Sequence, residues 1–218
     1  KGLSNTHSTE TPHPNWPKPM AKCLVWQAAE LAKDESYDSA ISFIERYGKH
    51  RDKLASKLFA ANRGIESDRE WLRGVNAYLA QFEITPLSLR PGEQQRFQRI
   101  FAQRAYDISE GPLVSVIMPA FNSETTVTHA VRSILDQTWR NVELIIIEDA
   151  STDGTWDVIR RLAREDARIR AVRNPVNVGP YVSKNRGLKL ARGFFVTGHD
   201  ADDWAHPQRI ENHVGKML

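Results

Sequence analysis

The 218-residue chain has one cysteine, Cys23, so no internal disulfide can form and nothing in its covalent chemistry points to an oxidising compartment. It has no apolar run near the roughly 20 residues of a membrane-spanning helix; the longest, Leu113 to Phe121 and Val142 to Ile147, have the length of buried strands. No secretory hydrophobic core stands near the start. The expected location is cytoplasmic, at most peripheral at the inner face of a membrane. Neither sign of charge dominates: 30 Lys and Arg face 27 Asp and Glu, for a net charge of +3. Basic residues alternate with acids, as across Arg160 to Asp166, the pattern of a solvated helix face. A basic stripe with interleaved aromatics is missing, so nucleic acid is not an expected partner. No G-x-G-x-x-G follows a strand, which excludes a dinucleotide-dependent dehydrogenase. A sugar-nucleotide pyrophosphorylase, the nearest enzymatic rival, needs a glycine-rich phosphate loop where this chain has Pro119-Ala120-Phe121-Asn122.

What is present falls into three parts. Residues 1–18 are rich in Ser, Thr, Pro and His without apolar period, and read as a flexible lead. Residues 19–110 read as helical, from Met20 to about Asp107. Ala28, Leu31 and Ala32, then Ala40, Ile44 and Tyr47, keep a three-to-four spacing, with Gly48 placed to end a helix. Ser67-Asp68-Arg69-Glu70 is a capping box ahead of the stripe Trp71, Leu72, Val75 and Leu79. The stretch Ala29 to Gly48 loosely resembles a tetratricopeptide repeat, but no second copy follows at the required period, and a plain helical bundle is the better reading. This region is a candidate surface for a protein partner, and a non-catalytic interaction protein is the rival from another class.

From residue 113 to 218 the period changes. Four apolar strand-like runs, near Val114–Met118, Val142–Ile147, Arg168–Val172 and Phe194–Thr197, alternate with helical stretches. Such strands imply α/β architecture, a mostly parallel sheet with helices on both faces and ligands at the carboxyl ends of its strands. Polar groups stand at those ends: Asn122 after the first, Glu148 and Asp149 after the second, and His199, Asp200, Asp202 and Asp203 after the fourth, read as buried. Asp149 alone reads equally well as a helix cap. Three carboxylates within four residues repel one another unless a cation compensates, and Asp-x-Asp at a strand end suits Mn²⁺ or Mg²⁺. The turn-rich Asn174 to Pro180 carries Gly179, where backbone can approach a ligand.

Taken in order, Val114 to Asn122 (VSVIMPAFN), Ser133 to Thr138, Glu143 to Thr155, Asn177-Val178-Gly179, Lys184 to Gly187, Asp200 to Asp203, and Pro207, Arg209 and Glu211 resemble the family 2 glycosyltransferases. The resemblance implies a GT-A fold binding a nucleotide-diphosphate sugar, with a UDP-sugar as expected donor and a glycan or lipid-linked acceptor in polysaccharide or glycan assembly. It places the donor on Pro119, Ala120, Phe121, Asn122, Glu124, Asp149, Asn177, Gly179, Lys184, Asp200 and Ala201, with Asp149 at the base and Asp200 and Asp202 at the ribose and cation. Asp202 and Asp203 are the expected metal ligands. Phe121 stands where tyrosine is frequent, Glu148 for a common aspartate and Lys184 for arginine. Most relatives invert the anomeric centre with a carboxylate base well beyond the Asp-x-Asp. With Lys1 not a methionine and Leu218 inside an apparent helix, the expectation is a fragment of a longer protein, its GT-A sheet incomplete at the C-terminus, its base beyond Leu218 and its own transfer slow.

Overall fold

A computed structural model describes residues 28–29, 31–33, 36–63 and 67–218. The expected flexible lead, Met20 and Cys23 lie outside the described residues. The chain divides into two compact units at Pro86/Leu87.

In the first unit the helices α1 (Tyr37–Tyr47), α2 (His50–Arg63) and α3 (Asp68–Leu79) pack in sequence. Ser36 caps α1 by accepting the Ser39 N–H, and Gly48 follows its end. Ala40 and Ile44 are buried with Ala28, the spacing read from the sequence. Ser67 caps α3 by accepting the Glu70 N–H at 3.3 Å. A Cβ on Gly74 would come within 2.6 Å of the Ala61 Cβ, so glycine sets the close approach of α2 and α3.

The helical reading does not hold as far as Asp107. Leu87–Leu89 (β1) and Ile100–Ala102 (β2) form an antiparallel pair, joined through the short helix α4 (Arg96–Arg99). Pro86 and the Pro91-Gly92 turn, with Gly92 at φ 147°, break helical continuity. This pair belongs to the second unit.

That unit is built on a four-stranded parallel sheet: β3 (Val114–Ala120), β4 (Val142–Glu148), β5 (Ile169–Arg173) and β6 (Phe195–Gly198), in spatial order β5-β4-β3-β6. The connecting helices are α5 (Val127–Leu135), α6 (Thr155–Glu165) and α7 (Pro180–Leu190), and α8 (Arg209–Val214) ends the fold. Alternate strand residues face opposite layers. Val116, Met118, Leu144 and Ile146 join α5 and α6 in the main core, while α7 packs on the other face. There a Cβ on Gly187 would meet Ile117 Cγ2 at 2.4 Å, so this glycine lets α7 lie against β3. The central strands β3 and β4 are almost wholly buried, which explains their unbroken apolar sequences.

The fourth strand is not the buried strand the sequence suggests. β6 is an edge, with Phe194 76% and Val196 43% exposed. Among the described residues it has one neighbour, β3, and hydrophobicity alone cannot report that. No helix among the described residues is long and apolar enough to cross a membrane.

Candidate functional site

From β3 the chain steps outward to β4 and β5, then returns to place β6 on the other side of β3. Loops at the carboxyl end of β3 therefore diverge, and a crevice opens at this switch point. A cavity of about 600 Å³ occupies it. Pro119, Ala120, Phe121, Asp149, Asn177, Gly179, Lys184, Asp200, Ala201 and Asp202 all line it, contributed by the ends of β3, β4 and β6 and the start of α7. Ser123, Pro180 and Tyr181 join them without having been singled out from the sequence. Tyr181, 82% exposed, gave no signal because a solvent-facing tyrosine in a helix has no periodic signature.

Asp149 is almost fully buried, and it is not a helix cap. Its Oδ1 accepts from Asn174 Nδ2 at 2.6 Å and from the Val178 N–H at 3.0 Å, and its Oδ2 accepts the Gly179 N–H at 2.8 Å. Burial pushes its pKa up, but these donors outweigh it and hold the carboxyl below the usual range. The helix that follows has Gly154 at its N-cap, and just before it Asp153 Oδ1 accepts the Thr155 N–H at 3.0 Å. Gly179, at φ 85°, has no atom within 4 Å of where a Cβ would stand, so its backbone faces open cavity.

Two further residues adopt left-handed backbone here, Asn122 at φ 46° and Ala150 at φ 57°. Asparagine tolerates this region, whereas alanine is strained in it. The strain is held by a lattice of bonds between the two strand ends. The Asn122 N–H donates to Ser151 Oγ, the Thr152 N–H donates to Asn122 Oδ1, and the Ser151 N–H donates to the buried Glu148 Oε1. Arg173 Nε closes the network on Glu148 Oε2 at 2.8 Å.

Three expected site residues fall outside the cavity lining. Asn122 is the brace just described. Glu124 accepts the Gly154 N–H at 3.0 Å, at the entry to α6. Asp203 lines an adjoining recess of about 350 Å³ with His199, Trp204 and Arg209, and Lys184 and Asp200 border both spaces.

The acidic loop is met by Lys184, whose Nζ lies 2.8 Å from Asp200 Oδ1. Burial, then Asp200 and Asp202, push the Asp203 carboxyl above its usual range. That is the mark of negative charge short of compensation. Among the described residues no three His, Cys, Asp or Glu side chains converge to cage a metal. The carboxylates of Asp202 and Asp203 are oxygen donors of the kind Mn²⁺ or Mg²⁺ takes, such ions commonly binding one or two carboxylates and filling the rest from phosphate and water.

His199 is buried beneath this loop. Arg209 Nη1 donates to its Nδ1 at 3.1 Å, which leaves the proton on Nε2, facing Ser133 Oγ at 3.4 Å. Burial and then Arg209 lower its pKa to about 4, so it is neutral at pH 7.

With the geometry established, residues 115–218 match the family model described as Glycosyl transferase family 2. This segment is a family 2 glycosyltransferase domain. Among curated relatives, an uncharacterized glycosyltransferase of Haemophilus influenzae is 36% identical over 107 residues, 49% of this chain and 43% of that protein. The UDP-Glc:alpha-D-GlcNAc-diphosphoundecaprenol beta-1,3-glucosyltransferase WfaP of Escherichia coli is 38% identical over 105 residues, 48% of this chain and 41% of the relative. The chain thus spans less than half the length of these relatives. Among solved structures, S. aureus TarS 1-349 in complex with UDP-GlcNAc is 28% identical, with a TM-score of 0.44, over 47% of this chain and 30% of that one.

Proposed function

We propose that the 113–218 region binds the donor of a glycosyltransferase that moves a sugar from a nucleotide-diphosphate sugar, a UDP-sugar first, to a glycan or lipid-linked acceptor. The observation that carries this reading is the convergence of Asp149, Lys184, Asp200 and Asp202 on one crevice at the carboxyl ends of three parallel strands. Phe121 and the Pro119–Ala120 backbone form the seat of the nucleoside, and Asp149 shapes it by fixing the Val178–Gly179 backbone. The Oδ2 atom of Asp149, which accepts the Gly179 N–H, has a further lone pair to accept from a base. Asp200 sits at the ribose, and Lys184 neutralises it and adds positive charge beside the diphosphate.

Asp202 and Asp203 would hold Mn²⁺ or Mg²⁺, which as a Lewis acid stabilises charge developing on the leaving nucleotide. Inversion at the anomeric centre, a role in polysaccharide assembly and a cytoplasmic site, peripheral to the membrane, belong to the same proposal. So does a protein partner on the helical unit. The name of the E. coli relative, with its polyprenyl-diphosphate acceptor, supports an acceptor of that kind.

The test is calorimetric titration of UDP into the chain with Mn²⁺ and with chelator. Metal-dependent binding that Asp202→Asn abolishes is expected. A folded sample that binds none of UDP, GDP or dTDP overturns the donor assignment.

A further inference from the structure

The second unit carries another cavity, of about 390 Å³, open to solvent and lined by the β1–β2 pair and α5. Gln98 Nε2 donates to the Thr125 carbonyl at 3.1 Å, and the Phe97 ring meets His129 edge-on with centroids 5.0 Å apart. These contacts fix one wall. Three arginines, Arg90, Arg99 and Arg132, line the cavity against one carboxylate, Asp136. The Arg90 guanidinium lies over the Phe101 ring, 5.2 Å from its centroid. Neither Arg90 nor Arg132 has a carboxylate at salt-bridge distance among the described residues.

His129 lines the same cavity, and both guanidinium groups act on its ring electrostatically. Two guanidinium groups without a carboxylate partner, both close enough to act on the same ring, leave positive charge that an external oxyanion would offset. Burial, and then Arg90 and Arg132, hold the His129 pKa below its ordinary value; an anion between these groups reverses the two electrostatic causes.

We infer that this cavity is a second ligand site, separate from the nucleotide-sugar crevice, that binds a phosphoryl oxyanion through Arg90 and Arg132, with His129 beside it as the group that senses the bound charge. A guanidinium group matches phosphate oxygens in geometry as well as charge. The volume, with Phe101 and Trp204 in the lining, leaves room for an organic group on the phosphate. Trp204 also borders the recess holding Asp203, and Ser133 Oγ accepts the Ala205 N–H at 3.1 Å. Occupancy therefore bears on the loop that carries the acidic cluster.

The site is tested on the whole chain by NMR of the histidine ring Cε1–H resonances, without divalent metal, at constant ionic strength held with chloride. Inorganic phosphate and phenyl phosphate are the two probes, distinguishing a free-phosphate site from an ester site. The expected result is a saturable shift of the His129 resonance and a rise in its pKa. Arg132→Gln, on an exposed helix position, should weaken binding by about tenfold or more. Asp202→Asn should bind as the parent does, so failure of the donor assignment leaves this site standing. A His129 resonance indifferent to both probes, a response that chloride reproduces, or one that Arg132→Gln leaves unchanged overturns the site.

Discussion

Asp149 and Gly179, 30 residues apart in sequence, meet through a 2.8 Å bond from the Gly179 N–H to the Asp149 carboxylate. The bond ties the end of β4 to the entry of α7 across the mouth of the crevice. Asp149→Asn presents an amide N–H₂ where an acceptor is required and leaves a buried donor unsatisfied. A loss of about 1–3 kcal/mol in urea-unfolding stability is expected, together with weaker UDP binding. Unchanged stability would show that the loop does not depend on this carboxylate.

The second expectation concerns pH. The folded-state pKa of His199, about 4, lies below its ordinary value of 6.5. Protons therefore bind the unfolded chain more readily. The stabilisation is complete above pH 6.5 and is lost as pH falls from there toward 4, by about 3 kcal/mol over the window. Urea midpoints measured across it in metal-free buffer should fall steadily, and His199→Gln should flatten the trend. The carboxyls of Asp149, Asp153 and Asp166, all held low, contribute only at more acid pH.

Asp203→Asn should separate stability from binding. Its pKa is raised by burial and by Asp200 and Asp202, so removing the charge relieves repulsion at neutral pH. Because the group is exposed, the gain is at most about 0.5 kcal/mol after solvent screening. The same variant should weaken Mn²⁺-dependent UDP binding. Lower stability accompanied by unchanged metal dependence would contradict both parts.

Gly187→Ala tests the packing of α7. The added methyl would stand 2.4 Å from Ile117 Cγ2, in a layer with little slack. A cost of about 1–3 kcal/mol is expected by chemical denaturation, and UDP affinity should fall because α7 carries Lys184. A neutral result would mean that the helix shifts without loss.

Much of the second unit was legible because its central strands are buried on both faces. The runs around Ile117 and Ile145 have no other use, and the polar groups that end them must share a rim once the strands are parallel. The β1–β2 pair was not legible. Three-residue strands are too short to show a period, and the residues around them read equally well as helix. Glu124 illustrates the limit at the site: its place in the motif suggests a ligand role, while its bond to Gly154 appears only when two loops are seen together. Asp149 stands out in the sequence as a polar strand end, but its three protein donors come from a loop about thirty residues away, which spacing cannot reveal.

The bonds made by Asp149 also bear on how such a domain can diversify. A carboxylate that the folded chain itself requires is poorly available to selection for a new substrate, since almost any replacement first damages the protein. Phe121 and Tyr181, 46% and 82% exposed on the same cavity, are under no such obligation. Drift in donor preference among descendants of this sequence should therefore register at these two aromatics before it touches the buried aspartate.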